Sequence, residues 1–417
     1  MAFIQSSMTQ QAAPGGASSG ITAGGVRAEH VFVPESGREV AELLGTADRE
    51  GKAVAAVGGA THLGIGNASS RLEWIMSTRN LNRVIAYEPP DMTLSIEAGA
   101  RLGDAQAVLA EHGQALPIEV SDPANATIGG IVATALYGPK RLGSGTLRDY
   151  LIGVSVAYPD GTLAKAGGMV VKNVSGFDLM RMHHGALGTL GIIVSANFKV
   201  LPKPRSERTV LISVADLDEV TRLKPFILSS RARPASFEVI RQTGGFEMAV
   251  RIEGRDRTTG LLATELSNEA GDSTRILEPG ESGTYWTTYL AGFQPGQDAA
   301  HSWLRLRVKP GESLALLSRV AAVLEELNAT GAQLSASPGL GFVDVRHDCA
   351  DAAELRALAG RLRSLAPRTV IVSAPAGVKA GVDVWGESIE SLDLMRMLKT
   401  EFDPNSTLNP GRFVGGL

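Results

Sequence analysis

The chain has 417 residues, of which 44% are hydrophobic and 20% charged, with a net charge of -4. At about 100–200 residues per domain, this length gives two or three domains and ample material for a core. The acidic balance and the 5% aromatic content argue against a general nucleic-acid binder, which needs a basic face or a stacking platform. One cysteine, Cys349, excludes an intrachain disulfide, a paired redox motif and an iron–sulfur cluster, and reads as a reduced thiol. No window approaches the about 20 apolar residues of a membrane helix.

In chain order, residues 1–26 are rich in Gln, Ser, Ala and Gly and read as a disordered tail, without the basic and apolar regions of a secretory signal. Val31, Phe32 and Val33 end a strand. Ser36 with Glu39 three residues on matches a capping box for a helix carrying Val40, Leu43 and Leu44. The apolar strand at 53–57 then runs into Gly58-Gly59-Ala60-Thr61-His62-Leu63-Gly64. A strand feeding such a turn can aim backbone N–H groups at a phosphate, although any tight loop can be Gly-rich. It is neither a Rossmann fingerprint nor a Walker A motif, whose spacings are absent.

Short strands are expected at 74–77, 84–87 and 92–100, and a helix over 102–112. From 117 to 204 the chain is dense in small residues. It holds Ala126-Thr127-Ile128-Gly129-Gly130, Gly143-Ser144-Gly145, the run Lys172-Asn173-Val174-Ser175-Gly176-Phe177-Asp178, and Gly188-Thr189-Leu190-Gly191-Ile192-Ile193. A backbone this rich in Gly can approach a flat or charged ligand closely. After Pro202-Lys203-Pro204 the Gly density falls. Strands are expected at 211–214, 236–240, 247–252, 303–308 and 342–346, and helices at 217–228, within 253–266, 314–327, 352–365 and 391–402. This is an α+β pattern whose two rounds of strand, helix, strand suggest a ferredoxin-like cap. No internal repeat is visible.

With these motifs in this order, and with Leu408-Asn409-Pro410-Gly411 at the end, the chain resembles the vanillyl-alcohol-oxidase-type (PCMH-type) FAD-binding superfamily, over about residues 27–204 and the last thirty. Within it the sequence is similar to the FAD-binding subunits of glycolate oxidase, mainly through the 172–178 run, the segment 141–149 and the tail 402–412. The resemblance implies a two-subdomain PCMH-type FAD-binding fold over 27–204, a ferredoxin-like α/β cap over 205–380, and a segment 381–417 returning to the FAD site. It implies non-covalent FAD, with residues 58–64 around the pyrophosphate. Thr127, Gly129 and Gly130 would lie at the phosphate and ribityl region, with Thr134 and Gly138 nearby. Gly145 and Arg148 would form a wall of the adenine or pyrophosphate side. Leu187, Gly188, Gly191, Ile192 and Ile193 would hold the nucleotide and the flavin edge, and Asn409 would reach the ring.

The resemblance also implies oxidation of glycolate or another 2-hydroxy acid by hydride transfer to flavin N5, with Lys172 and Asn409 as catalytic candidates. Electrons would pass to an iron–sulfur partner beside a catalytic flavoprotein sister subunit. It implies a cytoplasmic protein, peripheral to the inner membrane through its partners. The His-rich metal motif of the sister subunits has no counterpart in Ser335-Ala336-Ser337-Pro338-Gly339-Leu340-Gly341, so no metal is expected. This absence keeps open a flavin-bearing subunit without substrate chemistry, and a stand-alone oxidoreductase on another substrate. His62 invites a covalent flavin link, but it aligns with a variable position. His183 and His184 are adjacent and point differently, which makes them poor joint metal ligands. Lys172 is either a cation near the reduced ring or a solvated lysine. Arg305, Arg307 and Lys309 share one strand face and read as solvated, or as a carboxylate-binding cap face.

Overall fold

The computed structural model describes residues 22–23, 26–169, 178–229, 231–293, 295, 301–329, 331–386 and 389–417. Of the expected tail, residues 1–21 and 24–25 lie outside this set, and Thr22–Ala23 pairs with Val26–Arg27. Half of the expected capping box forms at the helix Gly37–Arg49. Ser36 Oγ accepts the Glu39 N–H at 3.2 Å, while the Glu39 carboxylate takes the N–H of Glu35 instead of Ser36 at 2.8 Å. The apolar side of this helix packs Val40, Leu44 and Ala47 against Trp74 and Met76. Those two residues belong to a three-stranded parallel sheet, ordered His30–Phe32, Trp74–Ser77, Val54–Val57. A second, five-stranded antiparallel sheet runs Leu163–Gly167, Leu151–Ala157, Ile192–Lys199, Thr93–Glu97, Val84–Glu88. The helix Ile128–Thr134 buries Ile128 and Ile131 against Leu94, Ile96 and Phe198 of that sheet.

The strands between 206 and 373 form one eight-stranded antiparallel sheet. It is built of two βαββαβ units. The first runs Ser206–Val214, helix Leu217–Ser229, Ser236–Gln242, Gly245–Gly254, helix Asp256–Ala270, Thr274–Leu277. The second runs Ser302–Arg307, helix Ser313–Glu326, Gln333–Ser337, Phe342–His347, helix Ala352–Leu365, Thr369–Ser373. They join edge to edge through only two residue pairs, Val239↔Ala336 and Ile240↔Ser335. The ferredoxin-like pattern expected from sequence is thus present twice, as a structural repeat without a visible sequence repeat.

Strand alternation separates the faces of this sheet. Phe237, Val239, Leu304, Leu306, Val343 and Val345 sit in the apolar core under the helices. Glu238, Arg251, Arg305, Ser337 and Asp344 occupy the other face. A helix that sequence reading missed, Pro279–Ala291, lies over that polar face. It opens on a Glu278–Glu281 capping box, and its Trp286 Nε1 donates to Thr209 Oγ1 at 2.8 Å. Arg251 crosses from the face to the first lobe, where Nη1 meets Glu119 Oε1 at 2.6 Å.

The chain end returns to the first lobe. Val54 donates to Thr407 O at 2.7 Å and accepts from Asn409 N at 2.9 Å. On the helix Leu392–Phe402, buried Lys399 Nζ pairs with Asp403 Oδ2 and donates to Thr189 O and Leu408 O at 2.8 and 3.0 Å. Breaking a buried ion pair from one side leaves an uncompensated charge, at a cost of about 3–5 kcal/mol. Lys399→Met is therefore expected to lower the unfolding free energy by about that amount in urea titrations. A loss below about 1 kcal/mol would show that the Thr407 and Leu408 amides, which also donate to Asp403, are sufficient for its carboxylate.

Candidate functional site

The strand Val54–Val57 delivers the chain into residues 58–63, which cross the floor of a cleft. Two glycines are required there by close approach. A Cβ on Gly58 would stand 2.0 Å from Thr127 Oγ1, and one on Gly59 would stand 1.7 Å from Asn125 O. Among the described residues, the N–H groups of Gly59, Ala60, Thr61, His62 and Leu63 find no protein acceptor, and Ala60 is left-handed at φ 62°. Successive free amides in such a turn form an anion-binding concavity. The cleft walls bring together Thr127, Gly129, Gly130 and Thr134, then Leu187, Gly188, Gly191, Ile192 and Ile193, and finally Asn409 and Arg412 of the tail.

Other expected site residues are placed elsewhere. Gly64 lies just beyond the cleft wall, its N–H on Pro295 O at 3.1 Å and its carbonyl on Lys379 Nζ at 2.8 Å. Gly138 lines a neighbouring cavity. Gly145 ends the turn Arg141–Ser144, and Arg148 is exposed in the turn Leu147–Asp149; neither lines the cleft. Lys172 and its run at 170–177 lie outside the described residues. Asn409, left-handed at φ 45°, spends its side-chain amide on Leu187 O at 2.8 Å and so fixes the turn before Gly188.

Behind the loop stand two buried cations that sequence reading did not assign. Arg412 Nη2 donates to Leu63 O and Ile65 O at 2.9 and 2.6 Å. Lys379 Nζ donates to Gly64 O and Gly66 O at 2.8 and 2.7 Å. No carboxylate pairs with either among the described residues. Burial pushes Arg412 down to about 10, and burial with the neighbouring Arg412 pushes Lys379 down to about 8.

The second cavity opens between the lobes and shares His62 with the cleft. Burial pushes this histidine down to about 4, so it is neutral near pH 7. From the sheet come Glu238, Arg305, Ser337, Phe342 and Asp344, and from the first lobe Tyr137 and Arg141. Arg305 is not on a solvated strand face: Trp303 and Arg305 lie on the polar side that the first lobe covers. Its guanidinium forks onto Asp344, Nε to Oδ1 at 2.8 Å and Nη2 to Oδ2 at 2.9 Å.

Glu238 accepts from Ser337 Oγ at 2.7 and 2.8 Å and from Tyr289 at 3.0 Å, and burial pushes its carboxyl up to about 8. Arg141 stands 5.2 Å over the Phe342 ring and has neither a side-chain hydrogen bond nor an ion pair among the described residues. Its pKa is lowered by burial and by Arg305. His183 bonds Tyr158 at 3.0 Å and His184 bonds Tyr137, so the two imidazoles diverge.

The cleft fits a dinucleotide. Its donors are free backbone amides, its lining contains no carboxylate, and its glycine-tight walls leave room for a flat ring. Residues 28–167 match the FAD binding domain family, and residues 386–413 match the C-terminal domain of FAD linked oxidases. The chain is 38% identical over 124 residues to glycolate oxidase subunit GlcE of Escherichia coli, covering 30% of this chain and 35% of that protein. It is 26% identical over 212 residues to glycolate oxidase subunit GlcD of Bacillus subtilis, covering 51% and 45%. Both matches therefore span less than half of those relatives. A D-2-hydroxyglutarate dehydrogenase of Xanthomonas citri pv. viticola is 26% identical over 420 residues, covering 92% and 88%. A solved structure of alkyldihydroxyacetonephosphate synthase superposes with a TM-score of 0.68 at 16% identity, covering 93% and 78%, which shows the fold. Among the described residues no helix is long and apolar enough to cross a membrane.

Gly59→Ala tests the floor of the cleft. Its Cβ meets a backbone carbonyl that cannot give way, so bound flavin, read by absorbance after purification, should weaken by at least about tenfold. Undiminished flavin content would show that the loop does not carry the diphosphate. The chain carries an FAD-binding domain and the C-terminal segment of the FAD-linked oxidases of the PCMH-type superfamily.

Proposed function

We propose that this chain oxidises a small 2-hydroxy acid, glycolate or a close relative, to the 2-oxo acid, as the FAD-binding subunit of a glycolate-oxidase-type complex. The observation that carries the substrate class is Arg141, whose guanidinium has no partner among the described residues and lies inside the cavity that adjoins the cofactor cleft at His62. A carboxylate is the group that a planar, half-buried guanidinium takes with least rearrangement. Bound FAD supplies the two-electron acceptor. Residues 58–63, Thr127, Gly129, Gly130 and the turn at Leu187–Gly188 hold it without a covalent bond, and Asn409 secures that turn. Lys172 is assigned as a cation near the ring, where negative charge builds on reduction. Arg141 orients the substrate carboxylate, Tyr289 and Ser337 offer hydroxyls to the substrate, and His62 is a neutral hydrogen-bond acceptor where cavity and cleft meet. With one cysteine the chain cannot hold an iron–sulfur cluster, so electrons leave through a cluster-bearing partner, with a sister flavoprotein beside it.

One observation favours a second reading. The strand Gln333–Ser337 sends Ser337, and no histidine, into the cavity. That arrangement suits a flavin-bearing subunit that turns over nothing by itself. Anaerobic glycolate added to the FAD-loaded chain decides between them: bleaching of the flavin supports the first reading, and an unchanged spectrum supports the second.

Two further outcomes follow from the first reading. Arg141→Met should raise KM for the hydroxy acid by about 10- to 100-fold, the worth of a charged hydrogen bond of about 1.5–3 kcal/mol, with flavin content unchanged. Glu238 is protonated and neutral below about pH 8 and anionic above it. KM should therefore rise as pH passes through about 8, because the new charge repels the carboxylate, and Glu238→Gln should remove that rise. A KM independent of pH in the native chain would place the substrate elsewhere.

A further inference from the structure

Away from the cleft and the cavity, one cluster has the composition of a transition-metal site. His347, Cys349 and Glu354 each bring a ligand atom to within 4.8 Å of the others. His347 ends the strand Phe342–His347, Cys349 lies in the connection after it, and Glu354 is in the first turn of the helix Ala352–Leu365. His347 pairs with Ser302 across the sheet and so lies on the helix-covered face with Leu304 and Val345, opposite the cavity.

The donors are held in place before any ion arrives. Glu354 Oε2 accepts the Ala350 N–H at 2.7 Å, which leaves Oε1 facing His347 Nε2 at 3.0 Å. Asp351 caps the helix through the N–H groups of Ala353 and Glu354 at 2.8 and 2.9 Å, which fixes the turn that carries Glu354. The side chain of His347 is 9% exposed and Cys349 is buried beneath it. The fully buried Ser302 hydroxyl stands against the Cys349 thiol as its polar neighbour. The His347–Glu354 hydrogen bond holds the other two donors beside it.

We propose that His347, Cys349 and Glu354 bind one zinc-class divalent ion, with water as the fourth ligand. One imidazole, one thiolate and one carboxylate suit zinc, whereas magnesium and calcium take oxygen donors. On binding, the thiol proton leaves to solvent and sulfur coordinates as thiolate. The ion replaces the His347–Glu354 hydrogen bond and ties the end of the strand to the start of the helix.

The test uses the full FAD-loaded chain, stripped of metal and titrated with cobalt(II) and then zinc(II). Expected are one cobalt per chain, a thiolate-to-cobalt charge-transfer band in the difference spectrum against the metal-free holoprotein, loss of that band on adding zinc, and slower alkylation of Cys349 once zinc is bound. Cys349→Ser should lose the band, and Glu354→Gln should weaken saturation, with flavin content unchanged in both. A native chain that shows no thiolate band, or no saturation at one ion per chain, overturns the proposal whatever the variants do. A band that survives Cys349→Ser overturns it as well.

Discussion

The cofactor loop keeps its shape because the far end of the chain places buried cations on its carbonyl oxygens. Arg412 and Lys379 together take four carbonyls between residues 63 and 66. Lys399 takes Thr189 and Leu408 in the same manner. Turning carbonyls backward onto cations leaves the amides of the loop without internal partners. Desolvating a cation costs several kcal/mol when no anion pairs with it, and the carbonyl dipoles offset only part of that cost. A diphosphate bound in the cleft would supply the missing negative charge in front of the loop. It would couple cofactor binding to docking of the tail through electrostatics, a physical reason for a tail that returns to the loop.

The two-faced sheet supplies the other half of the site. Its apolar face is sealed by helices, so the polar face must be covered by something that satisfies Glu238, Arg251, Arg305 and Asp344. The helix Pro279–Ala291 and the first lobe do this, and the Arg251–Glu119 bridge locks the arrangement. What remains uncovered is the cavity. Among the described residues, Arg305 is matched by Asp344 and Glu119 by Arg251, Glu238 escapes mismatch by holding its proton, and Arg141 is left without a partner. Arg141 is thus the lining cation that an incoming anion meets without displacing an ion pair.

Much of the first lobe was legible because its determinants are local. Ser36 and Glu39 announce a helix start, and Gly58 and Gly59 announce a place where a Cβ has no room. Residues 302–307, reading Ser-Trp-Leu-Arg-Leu-Arg, announce a strand with unlike faces. Which face would be wet was not legible, since that depends on 206–373 folding against the first lobe; Arg305 is drawn inward for this reason. The strand Gln333–Ser337 is short and made of small polar residues, so it carried no signal above a loop. Pro279 and the acidic residues flanking it could have revealed the missed helix. Asn409 stands in the cleft wall with its side-chain amide on Leu187 O. Lys379 and Arg412 could not be assigned as loop anchors, because their partners are carbonyls more than 300 residues away in sequence.

The seam between the two βαββαβ units is two residue pairs wide. Each unit carries its own four-stranded ladder, while the apolar residues of both form one continuous core. The acid of the cavity floor, Glu238, belongs to one unit, whereas Ser337, Arg305 and Asp344 belong to the other. The protonated carboxyl therefore acquires its Ser337 hydroxyl partner from across the seam. The chemistry of the cavity is a property of the join: it exists in neither half and arises only when the halves are brought into register.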